Sequence, residues 1–179
     1  MSGQYDIPTD KTGTFSLATT GTVFKSFQFQ ALSSQKFYEF AGTSTNGGGA
    51  QGSLPKYRFY SSLGWDYDYL NINLGNTYAS ATQDQFAGGL GFETASNLAT
   101  PTQKSTPVER YMAWDLRFAV KGDSLPGGYG KGWTVAVGVN NISNKAPPLS
   151  PFAFQDNNAD AASYSPIGRF TYVSASLKF

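Results

Sequence analysis

Cysteine and histidine are both absent from this chain of 179 residues. Without cysteine the chain can form no disulfide, no thiolate metal site and no cysteine nucleophile. Without histidine it lacks the commonest general base and metal ligand. The two absences argue against an enzyme, although carboxylate chemistry stays open. The remaining residues form no catalytic constellation, so we predict no catalytic residue, no cofactor and no resident metal.

Charge is scarce as well. Charged residues make up 14% of the chain, and the net charge is +1. This balance offers no electrostatic attraction to nucleic acid, so we expect no nucleic-acid partner. Hydrophobic residues reach only 40%, while aromatic residues reach 16%. The composition is typical of a β-rich chain in which apolar and uncharged polar residues alternate, and not of a charged disordered tail.

Long hydrophobic runs are also missing. No stretch of the sequence approaches the roughly 18 apolar residues that a membrane helix needs. The first residues do not combine a basic region with an apolar region, so we predict no signal peptide within the chain. The length fits one domain with a sizeable core.

The stretch 167–179 alternates with a period of two. Phe179, Leu177, Ala175 and Val173 share an uncharged side, and the opposite side carries mainly serine and lysine. A transmembrane β-strand requires this pattern, because lipid lies on one side and a water-filled lumen on the other. We interpret these four residues as the C-terminal signature of an outer-membrane strand.

Further stretches alternate in the same way and predict strands. They are a partial strand at 1–8 and strands at 14–29, 55–65, 70–78, 109–121 and 133–140. The connections are alternately short (6–13, 66–68, 122–132) and long (31–54, 79–108, 141–167). Outer-membrane barrels alternate short periplasmic turns with longer extracellular loops, and aromatic residues gather near their strand ends, as they do here. The sequence therefore predicts an all-β fold: an antiparallel up-and-down transmembrane β-barrel segment of about seven strands.

Three charged residues, Arg58, Asp115 and Arg117, fall on the polar side of their strands. We predict that they face the lumen. Charge pairing along the lumen wall is the favoured interpretation, and contact with a plug or a substrate path is the other. Arg169 falls on the lipid side near a strand end, where a long side chain can reach the headgroups.

Two loop stretches could suggest binding sites. Asp156, Asn158 and Asp160 have the opening spacing of a calcium loop, but the glycine and the distal glutamate of such a loop are missing. We interpret them as a solvated acidic loop. The glycine-rich centre of 31–54 has no Lys-Ser/Thr after it, so a flexible surface loop is favoured over a phosphate-binding loop.

Several pieces of the chain resemble the TonB-dependent outer-membrane receptors, in the C-terminal part of their barrel. Residues 132–148 (GWTVAVGVNNISNKAPP) are similar to the family's penultimate strand and its Asn-Leu-Phe-Asp-Lys-x-Pro-Pro ending, with Ile142-Ser143 in place of Leu-Phe. The last strand is matched by 164–170 (YSPIGRF) and 177–179 (LKF), and earlier strands by 55–58 (PKYR) and 111–116 (YMAWDL). The resemblance covers most of 55–179 and is weaker over 1–54.

The resemblance implies that residues 1–179 are a C-terminal segment of a barrel that has about 22 strands in this family. The complete protein would take up a nutrient, such as an iron–siderophore chelate, cobalamin or a glycan, across the bacterial outer membrane with TonB energy. Implied partners are outer-membrane lipid, the barrel-assembly machinery, the remaining receptor strands and plug domain, and TonB. No plug domain is expected in this chain. Seven strands alone would leave two unpaired edges in lipid, so the remaining strands must come from elsewhere.

Two other interpretations stay open. A soluble extracellular β-sandwich that binds carbohydrate through its aromatic rows would bury Phe15, Leu17, Trp133, Val135 and Val137 in a core, whereas a barrel would expose them to lipid. A small complete barrel of eight strands, similar to a porin, would need one more strand and a signal peptide.

Overall fold

The computed structural model describes residues 1–30, 33–34, 37–47, 50–84, 106–127, 130–151, 153–154 and 156–178. These residues form thirteen strands and a short 3₁₀ turn at Gly122–Ser124. The strands are β1 (Ser2–Thr9), β2 (Gly13–Val23), β3 (Gln28–Phe29), β4 (Tyr38–Glu39), β5 (Thr43–Gly47), β6 (Ala50–Leu54), β7 (Tyr57–Tyr67), β8 (Leu70–Ala79), β9 (Thr82–Asp84), β10 (Thr106–Val108), β11 (Tyr111–Lys121), β12 (Trp133–Asn140) and β13 (Phe170–Leu177). Within the described ranges, no helix has the length and apolar character to cross a membrane.

Seven of these strands form one antiparallel sheet in the order β1-β2-β7-β8-β11-β12-β13. The short strands of the loops do not belong to this main sheet. Within it, each strand pairs with the strands that precede and follow it along the chain. The predicted up-and-down arrangement of about seven strands is confirmed. The predicted partial strand at 1–8 is β1, which pairs with β2 along its whole length.

Short turns gather at one end of the main sheet and long connections at the other. The turn end carries 10–12, 68–69 and 122–132, and the loop end carries 24–56, 80–110 and 141–169. The predicted alternation is therefore confirmed. The turn predicted at 66–68 begins two residues later, at Asp68. Its φ of 52° lies in the left-handed region, which aspartate tolerates better than most residues, so two residues suffice to join β7 to β8.

The strand predicted at 14–29 is too long, because β2 ends at Val23. Phe24 still donates its backbone N–H to the Lys56 carbonyl, at 2.9 Å. The backbone N–H of Phe27 instead donates to the carboxylate of Glu39, at 2.7 Å. The chain leaves the sheet here, although its alternation of apolar and polar residues continues. The strand predicted at 167–179 is likewise shorter, spanning Phe170–Leu177.

The long loops carry structure of their own. Strands β5, β6, β9 and β10 form a second sheet in the order β10-β9-β5-β6, in which β5 and β9 are parallel. Ser44 of β5 is fully buried, and so is Phe40, which precedes β5 and contacts Phe27 and Phe29. The flexible loop predicted at 31–54 is therefore wrong for its described residues. Glycine-rich composition favours flexibility locally, but pairing between Thr43 and Gln83 fixes this segment against another loop.

The register divides the main sheet into two faces, because directly paired residues point to the same side. One row crosses all seven strands: Ile7, Phe15, Trp65, Ile72, Phe118, Val137 and Val173. No charged residue of the seven strands lies on this side, which we call the charge-free face. The opposite side, the polar face, carries all their charges: Asp6, Arg58, Asp66, Asp115, Arg117 and Lys121.

Candidate functional site

The charge-free face exposes its apolar side chains. Leu17 is 52% exposed, Trp133 49%, Val135 46% and Val137 43%. A β-sandwich would bury these residues between two sheets, so the carbohydrate-binding sandwich is not favoured. Single exposed apolar residues are ordinary on a protein surface, but a face spanning seven strands is far larger than a soluble monomer usually exposes. Such a face requires apolar surroundings.

Three residues of the predicted C-terminal signature lie on the charge-free face. Val173 is 75% exposed, and Ala175 and Leu177 are also exposed. The fourth, Phe179, lies outside the described residues. Among those residues β13 pairs only with β12, so β13 forms one edge of the main sheet and β1 forms the other. The role of the four residues as an assembly signature stays a prediction.

The three charged residues singled out in the sequence share the polar face but do not pair with one another. Arg58 donates from its guanidinium to the Ser163 carbonyl at 2.6 Å. The carboxylate of Asp115 accepts the backbone N–H of Asn141 at 2.7 Å. Arg117 donates to the side-chain oxygen of Asn71 at 2.9 Å. Among the described residues these side chains therefore make hydrogen bonds to neutral groups, two of which hold the last long loop against the strands. Their place along a lumen wall stays a prediction.

The ion pairs of the described residues lie at the two ends of the main sheet. Lys121 pairs with Asp66 beside the turn end, on the polar face. Lys145 lies 3.5 Å from Glu109 at the loop end. All four side chains are more than a third exposed, so these pairs contribute little to stability.

Above the loop end, the second sheet and the last long loop form one unit. We call this unit the loop platform: strands β5, β6, β9 and β10 with the described residues of 149–164. Asp84 of β9 is 1% exposed, and its carboxylate accepts the Ser150 hydroxyl at 2.8 Å and the Ala153 N–H at 2.9 Å. Because a buried carboxylate is costly unless it is hydrogen-bonded, Asp84 fixes β9 to the last loop.

Asp160 makes the second such connection. It is 2% exposed, and its carboxylate accepts backbone N–H groups from Ser53 at 2.7 Å and from Ala162 and Ser163 at 3.0 Å. Burial would raise the pKa of Asp160, but the hydrogen bonds from Ser163 and Ser53 outweigh it and hold the pKa below its ordinary value. The solvated acidic loop predicted at 156–160 is therefore wrong at Asp160, although Asp156 is exposed. Among the described residues no cluster of three or more metal-ligating side chains occurs.

Tyr164 joins the platform to the main sheet. Its ring lies 5.2 Å from the ring of Tyr111 at the start of β11, and both are buried with Ala79 and Ala113. The Arg58 hydrogen bond to the neighbouring Ser163 carbonyl holds the same segment. The end of the last long loop is thus packed over the polar face, where the strands meet the platform.

A third connection stabilises the first long loop. The carboxylate of Glu39 accepts the N–H groups of Phe27 at 2.7 Å and Ala41 at 2.8 Å, and it also accepts the Ser26 hydroxyl. These hydrogen bonds lower the pKa of Glu39 to about 2, and the one from the Phe27 backbone has the largest effect. The adjacent rings of Phe27 and Phe40 contact edge to face at 6.5 Å.

We expect the Glu39 connection to survive acid. A carboxyl group whose folded-state pKa is lowered stabilises the fold above its ordinary pKa of 4.5, and this contribution is lost only as the pH falls through about 2. Titration of the labelled glutamate carboxyl carbon by NMR should give a midpoint near 2. The Glu39→Gln variant identifies the resonance. A midpoint at the ordinary value in the folded protein would contradict the assignment.

Aromatic side chains mark the turn end of the charge-free face. Trp65 stacks on Phe15 at 6.4 Å and on Tyr67 at 5.8 Å, and its indole N–H donates to the Thr12 carbonyl at 2.7 Å. Trp133 begins β12 at the same end. Aromatic rings with a polar tip are typical of a lipid–water boundary, in agreement with the predicted girdle.

Sequence reasoning missed the two buried carboxylates of the platform. Asp84 stands in a stretch without strand alternation, and Asp160 stands among other acidic and amide residues. The long-range partners of these carboxylates carry no local signal, because Asp84 binds Ser150 and Ala153 and Asp160 binds Ser53, which is 107 residues away.

Comparison with known proteins agrees with the fold. No family model and no curated protein matches the chain. Two solved structures do, both mutant forms of the ferric enterobactin receptor from Pseudomonas aeruginosa. Their identities are 15% and 16%, with TM-scores of 0.51 and 0.52, and each match covers 99% of this chain and 22% of that chain. The seven strands therefore have the fold of part of a transmembrane β-barrel, and the chain spans about a fifth of the length of these two receptors.

Proposed function

We propose that this chain is the C-terminal barrel segment of a TonB-dependent receptor in the bacterial outer membrane. The complete protein takes up a scarce nutrient, of which an iron–siderophore chelate is the first choice, and cobalamin or a glycan the next. The remaining strands, the plug domain and TonB are its partners, and the barrel-assembly machinery inserts it. Both matched structures are ferric enterobactin receptors, and this similarity supports an iron chelate as the nutrient.

One observation carries the proposal. The charge-free face extends over seven strands and exposes apolar side chains, while every charge of those strands lies on the opposite face. A lipid-facing barrel wall needs this division, because a charge at the bilayer centre costs about 2–4 kcal/mol. In this arrangement Arg58, Asp115 and Arg117 line the lumen, and the loop platform lies on the outer side of the membrane, where the nutrient arrives.

Spin labels test which face meets lipid. This segment has no cysteine, so Val135→Cys and Leu116→Cys each add one labelling site to it, on the charge-free face. Ser174→Cys on the polar face is the matched control. In the purified receptor in lipid vesicles, we expect oxygen to relax the first two labels strongly and a water-soluble nickel complex to relax them weakly. The Ser174 label should show no such preference.

Water-like or tightly packed spectra at both Val135 and Leu116 would exclude a lipid-facing wall. The transport role is tested separately, in cells that depend on this protein for iron. Uptake of a radioactive ferric siderophore should stop when TonB is deleted. Uptake that continues without TonB would contradict the proposed energy source while leaving the barrel intact.

A further inference from the structure

The strands of the main sheet are joined in two ways, and only one of them fixes how neighbouring strands align. A tight turn, such as 68–69 between β7 and β8, sets the register of its two strands. Long connections join the pairs β2–β7, β8–β11 and β12–β13, and they leave the register open. A slip of two residues there would keep every side chain on its own face, because the pattern has a period of two. The separation of charge between the faces therefore cannot select the register of these three pairs.

An aromatic ring lies directly on a glycine where β12 meets β13. Gly138 and Tyr172 are paired, and a Cβ atom at Gly138 would overlap the Tyr172 ring. The ring thus occupies space that only glycine leaves open. Phe170 stacks on Tyr172 with the ring centroids 6.3 Å apart, which supports the ring in this position. After a slip of two residues Tyr172 would face Ala136 or Asn140, whose side chains fill that space.

The same arrangement occurs where β2 meets β7, on the charge-free face of the sheet. Gly21 and Phe59 are paired, and a Cβ atom at Gly21 would overlap the Phe59 ring. A slip of two residues would place Phe59 opposite Thr19 or Val23 instead. Each ring therefore fits against its neighbouring strand in one register only.

A hydrogen bond between side chains takes this place in the third pair, β8–β11. Within the part of the chain that the structure describes, no ring lies on a glycine between these two strands. Arg117 of β11 instead donates to the side-chain oxygen of Asn71 at 2.9 Å. Each of the three pairs without a tight turn thus has a contact that belongs to one particular alignment of side chains.

We propose that the Tyr172 ring on Gly138 and the Phe59 ring on Gly21 set the register of the strand pairs that they join. This device acts on the assembly of the sheet, so it goes beyond the proposed transport role and does not depend on it. It also determines the position of the loop platform, because β13 follows the long loop that contributes Asp160 to the platform. A slip of two residues would move the end of that loop by about 7 Å along β12.

Cross-strand disulfides read the register of β12 and β13 directly, because a disulfide forms only between closely opposed residues. This segment has no cysteine, and any cysteine elsewhere in the full-length protein is replaced by serine. Ala136→Cys with Ser174→Cys reports the native register, in which the two residues are paired. Ala136→Cys with Ser176→Cys reports a slip in one direction, and Thr134→Cys with Ser174→Cys reports a slip in the other. The fraction of each disulfide in folded protein is measured on non-reducing gels after oxidation.

The variants remove the ring or its seat, and each has a matched control. Tyr172→Ala removes the ring without adding an atom, and Tyr172→Phe, which keeps the ring, is its control. Gly138→Ala drives the ring from its place. Its control is Gly64→Ala, since Gly64 lies in the same row of the polar face and a Cβ atom there makes only ordinary contacts, the nearest at 3.6 Å.

We expect Tyr172→Ala and Gly138→Ala each to raise the ratio of slipped to native disulfide roughly fivefold, the change that a strong cross-strand pair makes in an equilibrium. Both controls should match the unmodified protein. Unchanged ratios in Tyr172→Ala and Gly138→Ala would overturn the proposal.

Two further variants keep the test decisive. Tyr172→Leu retains apolar bulk without the flat ring, so it should slip as Tyr172→Ala does, and a native ratio in this variant would overturn the proposal even where Tyr172→Ala assembles poorly. Asn144 offers a rival contact, since its side-chain oxygen accepts the N–H of Arg169 at 2.8 Å just before β13. Slippage in Asn144→Ala without slippage in the Tyr172 variants would assign the register to that loop contact and not to the ring.

Discussion

Val173→Arg is expected to reduce the amount of the protein that assembles in the outer membrane. Val173 lies near the middle of β13 on the charge-free face and is 75% exposed. An arginine at the bilayer midplane costs about 2–4 kcal/mol, which is a large share of the stability of an ordinary domain. We expect a several-fold loss of folded protein from the outer membrane. The measurement is the heat-modifiable band on a gel of isolated membranes.

The control is Ser174→Arg, one residue further along the same strand. Ser174 is also exposed, but it belongs to the polar face, where it pairs with Ala136. In the proposed barrel the added arginine there faces the lumen, and it should leave assembly within about twofold of the unmodified protein. Both variants place an arginine on the same strand. A difference in assembly between them therefore cannot come from the β-propensity of arginine or from net charge. Equal assembly of the two variants would show that the charge-free face does not meet lipid.

Asp160→Ala is expected to loosen the loop platform without unfolding the barrel. The substitution leaves three backbone N–H groups without their acceptor, and that of Ser53 is buried. A buried polar group without a partner costs about 1–3 kcal/mol. We expect amides around Ser53 and Ser163 to exchange with solvent roughly tenfold faster or more. Hydrogen exchange followed by mass spectrometry measures this, with peptides of β11 and β12 as the internal reference.

Asp156→Ala is the matched control, because Asp156 is an exposed carboxylate of the same loop. It should leave exchange at Ser53 and Ser163 unchanged, whereas Asp160→Asn, which keeps one acceptor oxygen, should fall between the two. The connection should also persist under acid, since the lowered pKa means that its contribution is lost only as the pH falls below the ordinary aspartate range. Equal exchange in Asp160→Ala and Asp156→Ala would show that the buried carboxylate does not hold the platform.

If the platform contributes to nutrient binding, its rigidity has a functional consequence. Asp84 and Asp160 join segments from all three long loops, and Tyr164 packs this unit against β11. A surface that is already ordered loses less conformational entropy when a ligand binds. Asp160→Ala should therefore weaken ligand binding mainly through a faster off-rate, while the amount of receptor in the membrane stays the same.

The strands of the main sheet could be predicted from the sequence because their signal is local. The period of two assigns each residue to a face, and the turns fix the order of the strands. The charge-free row from Ile7 to Val173 and the shared face of Arg58, Asp115 and Arg117 both follow from this alternation. The same local rule failed at 24–29. The alternation of apolar and polar residues continues there, but the backbone N–H of Phe27 donates its hydrogen bond to the Glu39 carboxylate.

The internal structure of the long loops could not be predicted, since it depends on contacts between distant segments. The sequence by itself determined the number of strands in the main sheet, their order and the separation of charge between its faces, because each follows from neighbouring residues. Only the tertiary structure decided that the long loops form one platform. Ser53 and Asp160 meet across 107 residues, and Thr43 and Gln83 pair between two loops, for which no periodicity or composition gives a signal.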